Sequence, residues 1–116
     1  MDCLCPVEIK EGLKEVELYV HDLRIPLDED NALLLLSWLE QSLTCSVLFL
    51  LKIECSDFEI EGRNYDNHLD FLVLSESIDG LRALTFTMKK KHVLEIVDSL
   101  RVAVEATFKK TIADGM

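Results

Sequence analysis

The chain contains one long apolar segment, LLLLSWLEQSLTCSVLFLLK, at residues 33–52. Its length matches the ~20 residues that a membrane-spanning helix requires. Polar side chains interrupt the segment at its centre, and a carboxylate in the middle of a bilayer costs roughly 2.5–3.5 kcal/mol. The segment therefore predicts two elements of a folded core instead of a membrane span. They divide at a group of polar residues, Glu40, Gln41, Ser42 and Thr44.

The first half of this segment predicts a helix over residues 29–43. Four polar residues that suit a cap and a first helical turn precede the apolar run: Asp28, Glu29, Asp30 and Asn31. A stripe at helical spacing predicts packing against a sheet and comprises Ala32, Leu35, Leu36, Leu39 and Leu43. Leu34 and Trp38, four residues apart, form a second apolar ridge. This ridge is either buried within the domain or, together with Leu33, part of a dimer or partner interface.

The other segments predict strands and a second helix. Alternation in EVELYVHDLRIPL predicts a hairpin that turns at His21–Asp22, and SVLFLLKIEC predicts a buried strand near 46–55. In SDFEIEGRNYDNH the apolar and acidic residues alternate, while HLDFLVLSES and LRALTFTMK predict two strands joined by a turn at Asp79–Gly80. The last segment predicts an amphipathic helix that Gly115 ends. Its stripe comprises Val93, Ile96, Val97, Leu100, Ala103, Val104 and Phe108.

The order strand, strand, helix, strand, strand, strand, helix predicts an α+β fold. We expect a single domain over residues 1–116, with residues 1–12 loosely ordered. It should contain a mostly antiparallel sheet of about five strands with two helices packed on it. The order of elements resembles that of longin and roadblock-type domains.

The charge of the chain is strongly negative and unevenly distributed. The net charge is −10, and residues 1–70 contain 16 Asp and Glu against 5 Lys and Arg, whereas residues 71–116 contain 6 against 7. Such a chain repels phosphates, so neither nucleic acid nor an anionic membrane is expected as a partner. A basic protein is the natural partner. The N-terminus, MDCLCPVEIKEG, lacks the pattern of a secretion signal and predicts a cytoplasmic protein with reduced cysteines.

Asp57, Glu59 and Glu61 alternate along a predicted strand. Alternate residues of a strand lie ~6.6 Å apart, too far for their carboxylates to converge on one Ca²⁺ ion. They therefore predict either a solvated strand face or an electrostatic docking surface. The acidic residues at 28–30 extend the same candidate surface.

Two other groups could carry chemistry. Asp66, His68 and Asp70 alternate in YDNHLD, where His68 could act as a base or a metal ligand. Cys3 and Cys5 could join His21 in a zinc site, although their spacing matches no zinc motif. No catalytic motif accompanies either group, so we expect neither an enzyme nor a cofactor or metal.

The KKKH sequence at residues 89–92 places positive charge where a helix dipole favours negative charge. We interpret it as a strand that continues through Lys90 and carries lysines on a sheet edge, where they oppose aggregation. An anion or acidic-partner site is the alternative, and the acidic half of a second copy could supply that partner.

The main functional hypothesis is a non-enzymatic protein that binds a basic partner, as an inhibitor, immunity protein, anti-defence protein or chaperone does. Trp38 or Leu34 would supply the apolar anchor. The alternative is a homodimeric structural adaptor of longin-like or roadblock-like architecture, which pairs through the 29–43 helix or an edge strand. A small metal-binding or enzymatic protein that uses His68 or the N-terminal cysteines is the third hypothesis.

Overall fold

The computed structural model describes residues 7–21, 23–44, 50–55, 57–77 and 80–108 of the chain. These residues form seven strands and two helices. In chain order they are β1 (Val7–Glu11), β2 (Val16–Val20), β3 (Leu23–Leu27), α1 (Glu29–Thr44), β4 (Leu50–Glu54), β5 (Phe58–Asn64), β6 (His68–Ser77), β7 (Gly80–Lys89) and α2 (Lys90–Phe108).

The strands form two antiparallel sheets, so the fold is α+β as predicted. A three-stranded sheet has the order β1-β2-β3, and a four-stranded sheet has the order β4-β5-β6-β7. The sequence suggested about five strands in one sheet, whereas the structure has seven in two. The prediction counted three strands between the helices, where there are four, and it missed β1, which falls within the stretch expected to be loosely ordered. Only two apolar residues alternate in β1. The strand conformation of β1 depends on its pairing with β2, which places Val7 opposite Val20 and buries both residues.

Local sequence signals account for the turns and for the start of α1. His21 has a positive φ of 57° between β2 and β3, which confirms the predicted hairpin. Asp28 caps α1, because its Oδ1 accepts a hydrogen bond of 2.8 Å from the backbone N–H of Asn31. The predicted 46–55 strand is seen as β4, but it is an edge strand with one exposed face and not a buried strand. Residues 45–49 lie outside the described residues, as do Asp22, Asp79 and Gly115.

One hydrophobic core joins both sheets and both helices. The predicted stripe of α2 is confirmed: its first six residues are buried and Phe108 is partly buried. Four residues of the α1 stripe are buried and Leu43 is partly buried. α2 packs against α1 and β1, whereas α1 also contacts β3 and β4. The two helices thus connect sheets that share no strand.

Trp38 lies in this core and packs on the four-stranded sheet. Its indole meets Phe71 of β6 edge-on, with ring centroids 5.6 Å apart, and Phe71 stacks on Phe86 of β7 at 4.9 Å. A Cβ atom added to Gly62 of β5 would lie 3.0 Å from Trp38 Cη2 and 3.3 Å from the Leu51 side chain. The indole therefore fits only because position 62 has no side chain.

The lysines after β7 have a structural role. The strand ends at Lys89, one residue earlier than predicted, and α2 begins at Lys90. The Lys90 Nζ donates a 2.8 Å hydrogen bond to the carbonyl of Ser42 in the last turn of α1. A positive charge at a helix C-terminus stabilises the helix dipole and satisfies an otherwise unpaired carbonyl. The positive charge of Lys90 is unfavourable for the dipole of α2 but favourable for the dipole of α1, and the second effect offsets the first.

Gly62→Ala should destabilise the protein by about 1–2 kcal/mol in urea unfolding. Crowding by an added methyl group typically costs about 1–3 kcal/mol, and the lower entropy of the unfolded alanine chain offsets about 0.4–1 kcal/mol of that. In a Trp38→Phe background most of the cost should vanish, because phenylalanine lacks Cη2. An equal cost in both backgrounds would show that Trp38 does not set the need for glycine.

Lys90→Met should lower the free energy of unfolding by about 0.5–2 kcal/mol, because the last turn of α1 loses its charged hydrogen-bond donor. Lys91→Met is the matched control, since Lys91 is the next residue and is exposed. It removes the same charge from the start of α2. Equal effects of the two variants in urea unfolding would contradict the capping role of Lys90.

Candidate functional site

The four-stranded sheet has one buried face and one open face. Residues that point toward the helices include Ile53, Ile60, Val73 and Met88, all of which are buried. We call the opposite side the outer face, and every one of its positions is at least partly exposed. It comprises Leu50, Lys52, Glu54, Glu59, Glu61, Arg63, His68, Asp70, Leu72, Leu74, Glu76, Leu81, Ala83, Thr85, Thr87 and Lys89.

A groove lined by four carboxylate residues and four uncharged residues lies at one end of the outer face. It has a volume of about 390 Å³ and is open to solvent. We call it the acidic groove, and its lining residues are Glu54, Cys55, Asp57, Phe58, Glu59, Leu74, Glu76 and Leu81. Leu81 is 67% exposed and adds an apolar side chain to this acidic surface.

Strand pairing brings these acidic residues together from three segments. Glu54 of β4 lies opposite Glu59 of β5. The N–H of Glu76 at the end of β6 donates a 2.9 Å hydrogen bond to the carbonyl of Asp57, which places these two acidic residues side by side. A cation bound among these residues would be attracted by several negative charges at once.

One lysine partly compensates the charge at the β4 side. Lys52 Nζ lies 3.6 Å from Glu54 Oε1 and 3.4 Å from Glu59 Oε1. The charge of Glu59 is the largest cause of the raised pKa of Lys52, followed by its hydrogen bond to Glu59 and the charge of Glu54. These groups are largely exposed, and such ion pairs contribute little stability. A partner could therefore replace Lys52 at little cost.

The start of α1 is hydrogen-bonded to two residues that line the acidic groove. The Asn31 Nδ2 donates hydrogen bonds to the Glu54 carbonyl at 3.4 Å and to Cys55 Sγ at 3.8 Å. Burial raises the pKa of the Cys55 thiol, and the charges of Asp28 and Glu15 raise it further. The thiol therefore lies within reach of the negative charges of Asp28, at the start of α1, and of Glu15.

The structure brings together part of the predicted binding surface. Asp57 and Glu59 line the acidic groove, and the exposed Asp28 lies close enough to affect Cys55. Asp30 is exposed and Glu29 is partly exposed in the same turn of α1. Glu61 lies further along β5, in a neighbouring hollow with Arg63 and Leu72.

The structure corrects the expectation that Trp38 is an apolar anchor. Trp38 is only 5% exposed, because the gap at Gly62 allows its ring into the core. Leu34, on the same predicted ridge, is 46% exposed, but the groove does not include it. The apolar side chains that the groove takes from the outer face are Leu74 and Leu81, which the sequence analysis did not single out. Phe58 also lines the groove, but it packs against the core.

The histidine motif forms a small surface cluster. His68 Nε2 lies 3.5 Å from Asp70 Oδ1, which also accepts a 2.8 Å hydrogen bond from Thr87. The Tyr65 ring stacks on His68 at 4.9 Å, and Asp66 is exposed in the turn. In the described part of the chain, no three His, Cys, Asp or Glu side chains are grouped as a metal ion would require. Cys3 and Cys5 lie outside the described residues.

Comparisons with known proteins supply no family. No protein-family model matches the sequence, and no curated protein matches it. Among solved structures, a protein of unknown function from the DUF155 family of Prochlorococcus sp. NATL2A matches with a TM-score of 0.40 at 10% sequence identity. The match covers 84% of this chain and 98% of that one, but similarity at this level does not define a shared fold. Among the described residues, no helix is both long enough and apolar enough to cross a membrane.

Asp28→Asn should lower the pKa of Cys55, because it removes a negative charge that disfavours the thiolate while retaining a residue that can cap α1. In the unmodified protein, alkylation of Cys55 should reach its midpoint at a higher pH than that of an ordinary thiol. The midpoint should shift down in the variant. Iodoacetamide labelling across a pH series, with the modified peptides mapped by mass spectrometry, measures this shift.

Asp30→Asn is the matched control, since it removes an equal charge from the same turn of the helix without altering the cap. A midpoint that moves equally in both variants would show that general charge, and not the position of Asp28, controls the thiol.

Proposed function

We propose that the protein is a non-enzymatic interaction module that works in the cytoplasm and binds a basic partner protein through the acidic groove. The observation that carries the proposal is the convergence of four carboxylates, from Glu54, Asp57, Glu59 and Glu76, on one open groove that also contains apolar side chains. A lysine or arginine of the partner would enter between the carboxylates. The groove therefore suits a basic segment of a protein better than a neutral ligand.

Electrostatic attraction would act mainly on the rate of encounter. The net charge of −10 attracts a basic protein over several ångströms, and the carboxylates of the groove then orient it. Salt screens such attraction, with a Debye length of about 8 Å at physiological ionic strength. Binding should therefore weaken steeply as salt concentration rises.

Apolar contacts would hold the complex after encounter. Leu81 is exposed and lies on the same face as Leu74, and a partner that covers these two side chains removes apolar surface from water. Arginine suits this environment best, since its aliphatic stem packs on apolar groups while its guanidinium binds carboxylates. We therefore expect an arginine, or a lysine next to an apolar residue, at the centre of the contact.

Inhibitors, immunity proteins, anti-defence proteins and chaperones are the classes that this mode of binding fits. In each class an acidic surface occupies a basic site on the target protein, and no chemistry is required of the binder. The open groove also supports a binding role over catalysis, because catalytic sites usually enclose their substrates and exclude water.

Replacing Asp57 by Asn and Glu76 by Gln together should weaken binding of an arginine-rich peptide about tenfold at low salt, as expected when two partly exposed ion pairs of up to ~1 kcal/mol each are lost. Neither residue pairs with Lys52, so the remaining contacts of the groove persist. Fluorescence anisotropy measures the affinity.

The matched control replaces Glu95 by Gln and Asp98 by Asn, two exposed positions on α2. It changes the net charge equally, so equal loss of affinity in both double variants would contradict a specific role for the groove. A tagged pull-down from the native host, analysed by mass spectrometry, should recover a basic protein with the unmodified chain and lose it with the groove variant.

A further inference from the structure

The edge strand β7 offers a second interaction surface. It lies at one end of the order β4-β5-β6-β7, and nothing in the described ranges pairs with its other side. All ten of its residues pair with β6 in one continuous register, without a bulge. A long and regular edge exposes unpaired backbone groups to any strand that approaches, and proteins usually shorten, bend or cover such an edge.

The two edges of this sheet differ in length and in the position of their charges, since the exposed charges of β7, Arg82 and Lys89, lie near the two ends of a ten-residue strand. The edge strand β4 has five residues and carries two exposed charges, at Lys52 and Glu54. In β7 the central residues, from Ala83 to Thr87, are all uncharged and include no proline. An extended strand could therefore add to β7 along most of its length.

Apolar side chains beside the β7 edge remain incompletely covered on both faces of the sheet. Leu84 and Phe86 point toward the core but are only partly buried. On the outer face, Leu81 is exposed. A strand added next to β7 would cover these three side chains and satisfy the backbone groups of the edge in the same step.

The charges around β7 indicate which strand can pair with its free edge. Two copies of a chain with net charge −10 repel each other overall, so they can associate only where opposite charges meet locally. On the outer face the charges near Leu81 are acidic, at Asp57 and Glu76, whereas the other end of β7 carries the exposed Lys89. Arg82, next to Leu81, is also exposed but belongs to the opposite face of the sheet. An antiparallel copy of the same strand would place each basic end beside an acidic end.

We propose that β7 pairs antiparallel with β7 of a second copy, about a two-fold axis at Thr85, and joins the two four-stranded sheets into one. With Thr85 opposite itself, outer-face residues meet outer-face residues, and Leu84 lies opposite Phe86 of the second copy. Leu81 lies opposite Lys89 of the second copy. That lysine is then two strand spacings, roughly 9–10 Å, from the Glu76 backbone, which the two long side chains can span.

Such a dimer requires no basic ligand, although it shares Leu81 and Glu76 with the acidic groove. It would give the homodimeric adaptor hypothesis a defined interface. Thr85 and its neighbours on β7 lie outside the groove, except for Leu81. Measurements on the purified protein alone therefore distinguish a failure of this inference from a failure of the proposed function.

Sedimentation equilibrium across a concentration series tests the dimer with three variants. Thr85→Lys should raise the dimer dissociation constant about tenfold, because like charges then stand directly opposite each other at the axis. Val102→Lys, at an exposed position on α2, is the control and should leave the constant unchanged. An equimolar mixture of Thr85→Lys and Thr85→Glu chains should restore association, since opposite charges then meet.

Circular dichroism and urea unfolding should show that the exposed Thr85 variants fold normally. A protein that is monomeric at every concentration would overturn the proposal. So would equal dissociation constants for Thr85→Lys and Val102→Lys, or a mixture of the two Thr85 variants that associates no better than either alone.

Discussion

The contact between Trp38 and the four-stranded sheet fixes how the two halves of the fold meet. The ring occupies the space above Gly62 and meets Phe71, so α1 lies directly on the sheet. α2 then packs against α1 and the three-stranded sheet, and one core results. Because the helices cover one side of the four-stranded sheet, its other side remains open for interactions.

The open face carries charge unevenly, and strand register is the cause. The ladder between β4 and β5 sets Glu54 opposite Glu59, while the end of β6 brings Glu76 next to Asp57. Lys52 lies close enough to two of these carboxylates, Glu54 and Glu59, to form ion pairs with them. Binding of a cationic partner to this surface is favourable, because the bound cation interacts with several carboxylates that folding has brought together.

Local patterns predicted much of the fold, and contacts between distant residues decided the site. The stripe of α2 and the cap at Asp28 follow from helical spacing and hydrogen-bonding chemistry within a few residues. Strand β1 escaped prediction because two alternating apolar residues carry too weak a signal without their partner strand. Asp57 and Glu59 were identified by charge, but the participation of Glu76 depends on a backbone contact across 19 residues of chain.

The sequence by itself determined an acidic α+β protein with two amphipathic helices and with strands whose alternation separates buried from exposed positions. It could not decide between a buried and an exposed Trp38, because helical periodicity places Leu34 and Trp38 on the same ridge. The tertiary structure decided this at Gly62 of β5, where the absence of a side chain makes room for the Trp38 ring, whereas Leu34 remains exposed. It likewise decided which carboxylates share a groove, since their distances depend on the pairing of strands and not on their spacing along the chain.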